Sequence, residues 1–296
     1  MKNYFGIGLL FLMSFSLALG QGPTGLYGPR EDRGLVANPD LDEASGLAAS
    51  RVNPGLLWTH NDSGGFPHLY ALDTHGKSLG KVILVGVNNR DWEDLAVGPG
   101  PLPGRSYLYI ADIGDNDGRY PVKTILRLPE PSLSRFVQGK CFLRADSIAQ
   151  IRFRYPDGNH DAETLVVDPR DGAIYVITKA KPQGRLFKIP SDQAGSEPVL
   201  AQDLGPVPVR KAVSGEISPQ GDEILVKNYF FVYHWTIGAG QPLADMFGQS
   251  PTMVPYLPEP QGEALCFDPE GHGFYTLSEE RDGVEAHLYF YPRNVK

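Results

Sequence analysis

Glu263-Ala264-Leu265-Cys266-Phe267-Asp268-Pro269 repeats the pattern of Glu163-Thr164-Leu165-Val166-Val167-Asp168-Pro169. The shared template is Glu, any residue, Leu, an apolar pair and a turn closed by Pro. A third copy reads Glu93-Asp94-Leu95-Ala96-Val97-Gly98-Pro99. A looser one, Ser45-Gly46-Leu47-Ala48-Ala49-Ser50, has Glu43 two residues upstream, and Val213-Ser214-Gly215-Glu216-Ile217-Ser218-Pro219 is a degenerate fifth. Each copy is followed by a second apolar segment, such as Tyr107–Ala111 or Ala173–Ile177, and then by a third with a Leu or aromatic signature, such as Leu69–Leu72 or Leu288–Tyr291. Asp-x-x-Gly turns, Asp73 to Gly76 and Asp268 to Gly271 among them, link the segments and suit the tight connections of antiparallel strands.

The copies start at 45, 93, 163, 213 and 263, with steps of 48, 70, 50 and 50. A repeat of this size carrying three or four short strands is one propeller blade. The long step holds an insertion around Ser132 to Tyr155 that supplies extra outer strands. The last copy has only 34 residues, so the segment ahead of the first copy provides its outermost strand and closes the ring. The expected fold is therefore all-β, a single β-propeller of five blades, with six as the runner-up.

The composition agrees. Apolar residues make up 41% of 296, enough for a large core, and 34 Gly with 26 Pro suit many short strands and turns. A formal charge of −8 disfavours nucleic acid as a partner and favours cations. At the N-terminus, Lys2 precedes an apolar run of 13 residues, Ile7 to Leu19, and small residues follow at Ala18 and Gly20. This is the layout of a secretory leader, residues 1–20, followed by a propeller domain at 21–296. The run is too short to span a membrane comfortably, no later segment is long enough, and the chain is expected in the periplasm or outside the cell. Cys141 and Cys266 are read as two free thiols, Cys266 being embedded in an apolar strand.

Repeat symmetry places equivalent residues of each blade on one ring at a mouth of the central tunnel. Glu93, Glu163 and Glu263 share a repeat position. Glu43 lies just before its own copy, and Asp91 and Asp161 precede Glu93 and Glu163 by two residues, on the same side of an extended strand. Carboxylates crowded there must either take up protons or hold a cation, and oxygen-only donors suit Ca2+. The alternative is that they cap turns or pair with Arg90, Arg119 and Lys179. A second polar ring follows the second strands: His60, Asp62, Asp112, Lys179, Lys227 and Glu279. His60, His160 and Lys179 are the candidates for acid–base work beside the carboxylates. Asp115-Asn116-Asp117-Gly118 reads as an Asx turn, and Trp58, Trp92 and Trp235 as core aromatics. No GxSxG elbow, Walker loop or HExxH motif is present.

Glu43-Ala44-Ser45-Gly46-Leu47, Asp91-Trp92-Glu93-Asp94-Leu95-Ala96, Asp112-Ile113-Gly114-Asp115-Asn116 and Gly262-Glu263-Ala264-Leu265 resemble motifs of exported bacterial propellers. The resemblance is to the SdiA-regulated family, related to NHL repeats, and to the "esterase-like activity of phytase" family, and it runs from about Leu41 onward. The first implies a five-bladed propeller with bound calcium, the second a phosphoesterase. Two functions are carried forward. One is a calcium-dependent, phytase-like hydrolase of phosphate or carboxylic esters acting on a small molecule. The other is a non-enzymatic binding or scaffold propeller for a peptide, glycan or other envelope or extracellular ligand.

Overall fold

The computed structural model describes residues 25–190 and 197–294. The leader expected at 1–20 lies outside the described residues. The first strand, β1 (Glu31–Leu35), is followed by the strands of blade one: β2 (Ala44–Ala49), β3 (Leu56–Asn61), β4 (His68–Asp73) and β5 (Ser78–Val85). Blade two takes β6 (Trp92–Pro99), β7 (Ser106–Asp112) and β8 (Lys123–Pro129); β9 (Lys140–Arg144) and β10 (Ala149–Arg154) come next. Blade three holds β11 (Ala162–Val167), β12 (Ile174–Thr178) and β13 (Gly184–Ile189), then β14 (Val199–Leu200) and β15 (Gln202–Val207). Blade four is β16 (Ser214–Ile217), β17 (Glu223–Lys227) and β18 (Val232–Thr236), then the short helix α1 (Leu243–Phe247) and β19 (Thr252–Val254). Blade five is β20 (Gly262–Phe267), β21 (Gly273–Ser278) and β22 (His287–Pro292), and β1 completes it by pairing antiparallel with β22.

The five expected blades are thus present, and the N-terminal strand closes the ring. The insertion after β8 is divided between two blades. β10 pairs antiparallel with β8 as blade two's own fourth strand, whereas β9 crosses to blade one and lies parallel to β5, Lys81 facing Lys140 and Val85 facing Arg144. β14 does the same for blade two, adding parallel to β10.

Innermost strands β2, β11 and β20 are buried along their whole length, which is why they read as small and apolar runs interrupted only by Ser45, Glu163, Thr164 and Glu263. β9, at a sheet edge, alternates exposed and buried residues instead. The core lies between blades. Trp58, Leu95 and Leu108 pack in the gap between blades one and two. Ile151, Phe153 and Phe187 fill the next gap, and Val166, Val207 and Trp235 the one after it. Leu225, Phe267 and Phe274 join blades four and five, and Leu47, Tyr70 and Leu277 join five to one. All three tryptophans are buried, and both cysteines are free and buried.

Four innermost strands carry a register shift at the end where the chain enters from the mouth. The shifts fall between Ala44 and Leu47, Trp92 and Leu95, Ala162 and Thr164, and Gly262 and Ala264. A bulge re-aims one side chain and bends the strand. Here the residues within the shifts include Ser45, Glu93, Glu163 and Glu263, the repeat position singled out above. β16 pairs with β17 without a shift, and the equivalent residue is Val213.

Candidate metal centre

Bulges set Glu93, Glu163 and Glu263 at the tunnel mouth, where Glu93 and Glu263 meet Asp62, Asp91 and Glu279 from positions just outside β3, β6 and β21. Single oxygens of Asp62, Asp91 and Glu93 lie within 4.8 Å of one another, and so do those of Asp62, Glu263 and Glu279. Blade one, which carries Asp62 just after β3, sits between blade two, with Asp91 and Glu93, and blade five, with Glu263 and Glu279. Glu93, Glu263 and Glu279 are buried, Asp62 and Asp91 half-buried.

Local structure fixes these groups without neutralising them. The Asp62 N–H donates to the Glu43 carbonyl at 2.8 Å, placing the exposed Glu43 at the rim. Oδ1 of Asp62 is buried and has no hydrogen-bond partner. The Asp91 N–H donates to Asp112 Oδ1 at 3.2 Å, and Asp112 is itself held by Arg90 at 3.0 Å. Gly114 packs against the Asp91 and Glu93 carboxylates: a Cβ there would lie 2.0 Å from Glu93 Oε1 and 2.4 Å from Asp91 Oδ2. Only glycine leaves both oxygens where they are. Tyr229 donates its hydroxyl to Glu263 Oε1 at 2.6 Å.

Crowding and burial favour the protonated carboxyls. Burial, with Glu263, Asp91 and Glu43 nearby, pushes Asp62 up to about 7. Burial, with Glu263, Asp62 and Glu43, pushes Glu279 up to about 8. Glu93 is driven well above the usual range by burial and then by Asp62, Asp91 and Glu263. Burial raises Asp91 and Asp112 as well, against the pull of Arg90.

The far arc of the ring is different. Glu163 Oε1 forms an ion pair with Lys179, whose ammonium lies 5.5 Å from the centre of the Tyr229 ring. Glu163 Oε2 is buried without a hydrogen-bond partner. Blade four contributes Val213 and the fully buried Lys227, which donates to the Gly262 carbonyl and is lowered to about 8 by burial, despite nearby Glu259 and Glu263.

Two expected residues stand apart. His60 is sealed in the core edge-on to Trp92 at 5.5 Å, with Nδ1 at 3.0 Å from the Asn61 carbonyl; burial lowers it to about 4, so it stays neutral. His160 packs against Tyr155 and Phe187 and pairs with Asp157 at 2.8 Å. Among the described residues, neither histidine joins a metal-holding group with the mouth carboxylates. Asp161 accepts the Asp115 N–H at 2.9 Å, which uses one of its oxygens to anchor the blade-two loop. Asp115 in turn collects the N–H groups of Arg119 and Tyr120 and the ammonium of buried Lys123. Those donors outweigh its burial and hold its carboxyl low, so the Asx-turn reading describes this loop. Arg119 pairs with Asp117 at the surface.

Tyr229, Gly114 and Asp94 escape a reading by repeat position. The run Tyr229-Phe230-Phe231, directly after a second strand, is the available signal for the first. Asp94 occupies the variable slot of the template. It accepts the Leu95 and Leu165 N–H groups at 2.9 Å each and is reached by Ser214 at 3.4 Å, which joins blades two, three and four at the tunnel axis.

No family model matches the chain, and no curated protein matches it. Solved structures are similar in shape. A candidate oxidoreductase (glucose dehydrogenase) of Thermus thermophilus is 11% identical, with 90% of this chain and 99% of that one covered at a TM-score of 0.46. The Pan2 WD40 domain of Neurospora crassa is 11% identical over 93% and 98%, also at 0.46. A luciferin-regenerating enzyme is 12% identical over 85% and 92%, at 0.45. Among the described residues no helix is long and apolar enough to cross a membrane.

Proposed function

We propose that this chain is an exported, calcium-dependent hydrolase of phosphate or carboxylic esters that works at the acidic mouth. The observation carrying this reading is the convergence of five carboxylates from three blades in two groups that share Asp62, one of whose oxygens is buried without a hydrogen-bond partner. The donor set fits: it is all oxygen, which hard cations such as Ca2+ take and softer metals do not select. Asp62, Asp91, Glu93, Glu263 and Glu279 would hold the ion. Calcium, when bound, would offset part of the carboxylates' charge and polarise an ester oxygen as a Lewis acid.

The chain's own residues do the rest. Asp112 and Arg90 fix the Asp91 backbone, and Gly114 keeps room for the Asp91 and Glu93 oxygens. Lys179 holds Glu163 through its ion pair with Oε1. Glu163 Oε2, beside it and without a donor, takes the proton of the attacking water. The water oxygen bonds to the phosphorus or carbonyl carbon, the ester bond to the leaving oxygen breaks, and that oxygen gains a proton from solvent.

The test is hydrolysis of p-nitrophenyl phosphate, bis-p-nitrophenyl phosphate and p-nitrophenyl acetate by chelator-treated protein with and without added calcium. Activity that returns with calcium and falls by roughly 100-fold in Glu163→Gln is expected. Folded, calcium-loaded protein inactive on every ester overturns the enzyme reading. It would leave capture of an extracellular ligand, which exposed Phe66 and Phe230 on the loops after β3 and β17 favour.

A further inference from the structure

We infer that the mouth is built for two divalent cations, with the Asp62 carboxylate shared between them, Asp91 and Glu93 holding one and Glu263 and Glu279 the other. This deepens the reading of the mouth as a calcium site and rests on it. The two groups of converging oxygens have Asp62 in common and no other member. They also divide by blade, two ligands from blade two on one side of Asp62 and two from blade five on the other.

Three features point to a ligand at the shared carboxylate and on its blade-two side, and the Asp62, Glu263 and Glu279 oxygens repeat the arrangement toward blade five. Glu93 is 3% exposed and aimed at Asp62 and Asp91, yet no donor reaches either of its oxygens among the described residues. Oδ1 of Asp62 is buried and unpartnered. Gly114 preserves a gap beside Glu93 and Asp91 that any Cβ would fill. With the carboxylates ionised, charge favours two cations over one. Five ionised carboxylates carry five negative charges; one divalent ion leaves three in a largely buried funnel, and two leave one. The cations near this arc are engaged elsewhere: Arg90 by Asp112 and Lys227 by the Gly262 carbonyl, while Arg281 approaches Glu279 only at 3.7 Å on the surface side. Lys179 is committed to Glu163 on the other arc. Two-metal sites hold their ions about 3.5–4 Å apart.

The deciding experiment is calorimetric titration of Ca2+ into chelator-stripped protein, with thermal unfolding to confirm the fold of each variant. Wild type should bind two equivalents. Asp91→Asn and Glu279→Gln should each bind one, and the double variant none. Asp62→Asn should weaken both equivalents by at least tenfold. One equivalent in wild type, or an Asp62→Asn variant that loses only one, overturns the shared-ligand site. Should Asp62→Asn not fold, the Asp91→Asn and Glu279→Gln stoichiometries decide alone. One equivalent with calcium-dependent ester hydrolysis sinks the two-cation inference but leaves the proposed function standing; no binding by folded wild type sinks both.

Discussion

Glu93 and Glu163 descend from one repeat position yet end in different chemistry. Glu163 faces Lys179, which neutralises it, whereas Glu93 faces Asp62 and Asp91, which do not. The consequence is a pH dependence with a definite sign. Asp62 rises from 3.8 to about 7 and Glu279 from 4.5 to about 8 on folding. Between those limits the folded chain holds protons that the unfolded chain has released, so stability falls as pH rises. The contribution of these two groups is fully present below about pH 4 and gone above about pH 8. In chelator, the unfolding midpoint should drop across this window, and Asp62→Asn with Glu279→Gln should flatten the drop. A midpoint that rises steadily from pH 5 to pH 8 would contradict the crowding described here.

At the scale of elements, ring closure concentrates non-local bonding at the joint between blades four and five. Tyr27 and Arg293, near the two ends of the described chain, meet there: Arg293 donates to the Tyr27 hydroxyl at 2.8 Å and to Glu223 on β17, and Tyr27 stacks edge-on to Phe274 at 4.9 Å. His234 completes the set at 2.8 Å from Glu223. The buried Glu223 is held low because these partners outweigh its burial. Arg293→Ala removes one charged partner from it and should cost about 1.5–3 kcal/mol in denaturant unfolding. The conservative Arg293→Lys should recover only part of this, since one ammonium cannot serve Glu223, Tyr27 and the Gly271 carbonyl with the geometry of a guanidinium. An unchanged midpoint in Arg293→Ala would mean that the β1–β22 ladder alone closes the ring.

Over the whole molecule, the ring is symmetric in backbone and asymmetric in charge. Blades five, one and two carry the converging carboxylates; blades three and four supply Lys179, Val213 and Lys227. A cation at the mouth would therefore bind the two ends of the closure, blades five and one, to blade two, and so oppose opening. Calcium at a hundredfold over its dissociation constant should stabilise the fold by about 2.7 kcal/mol per site, raising the unfolding midpoint by roughly 5–10 °C. Thermal unfolding in calcium against chelator measures it, with magnesium as the comparison. Equal midpoints in calcium and chelator would leave the carboxylates to protons alone.

The repeat by itself determined the blade count, the closing strand and the ring position of Glu93, Glu163 and Glu263, because a propeller repeats one local pattern and local patterns are written in adjacent residues. The same template could not say that β9 would leave its own blade for blade one, since the apolar alternation of an edge strand does not name its neighbour. Nor could it separate the paired Glu163 from the unpaired Glu93, or withdraw His60 into the core. Those outcomes depend on which side chains face one another across different blades. Asp62, Glu263 and Gly114 are far apart in the chain and come together only when the ring is closed. Burial and the summed field of neighbouring charges, the quantities that set a carboxyl's chemistry, exist only then.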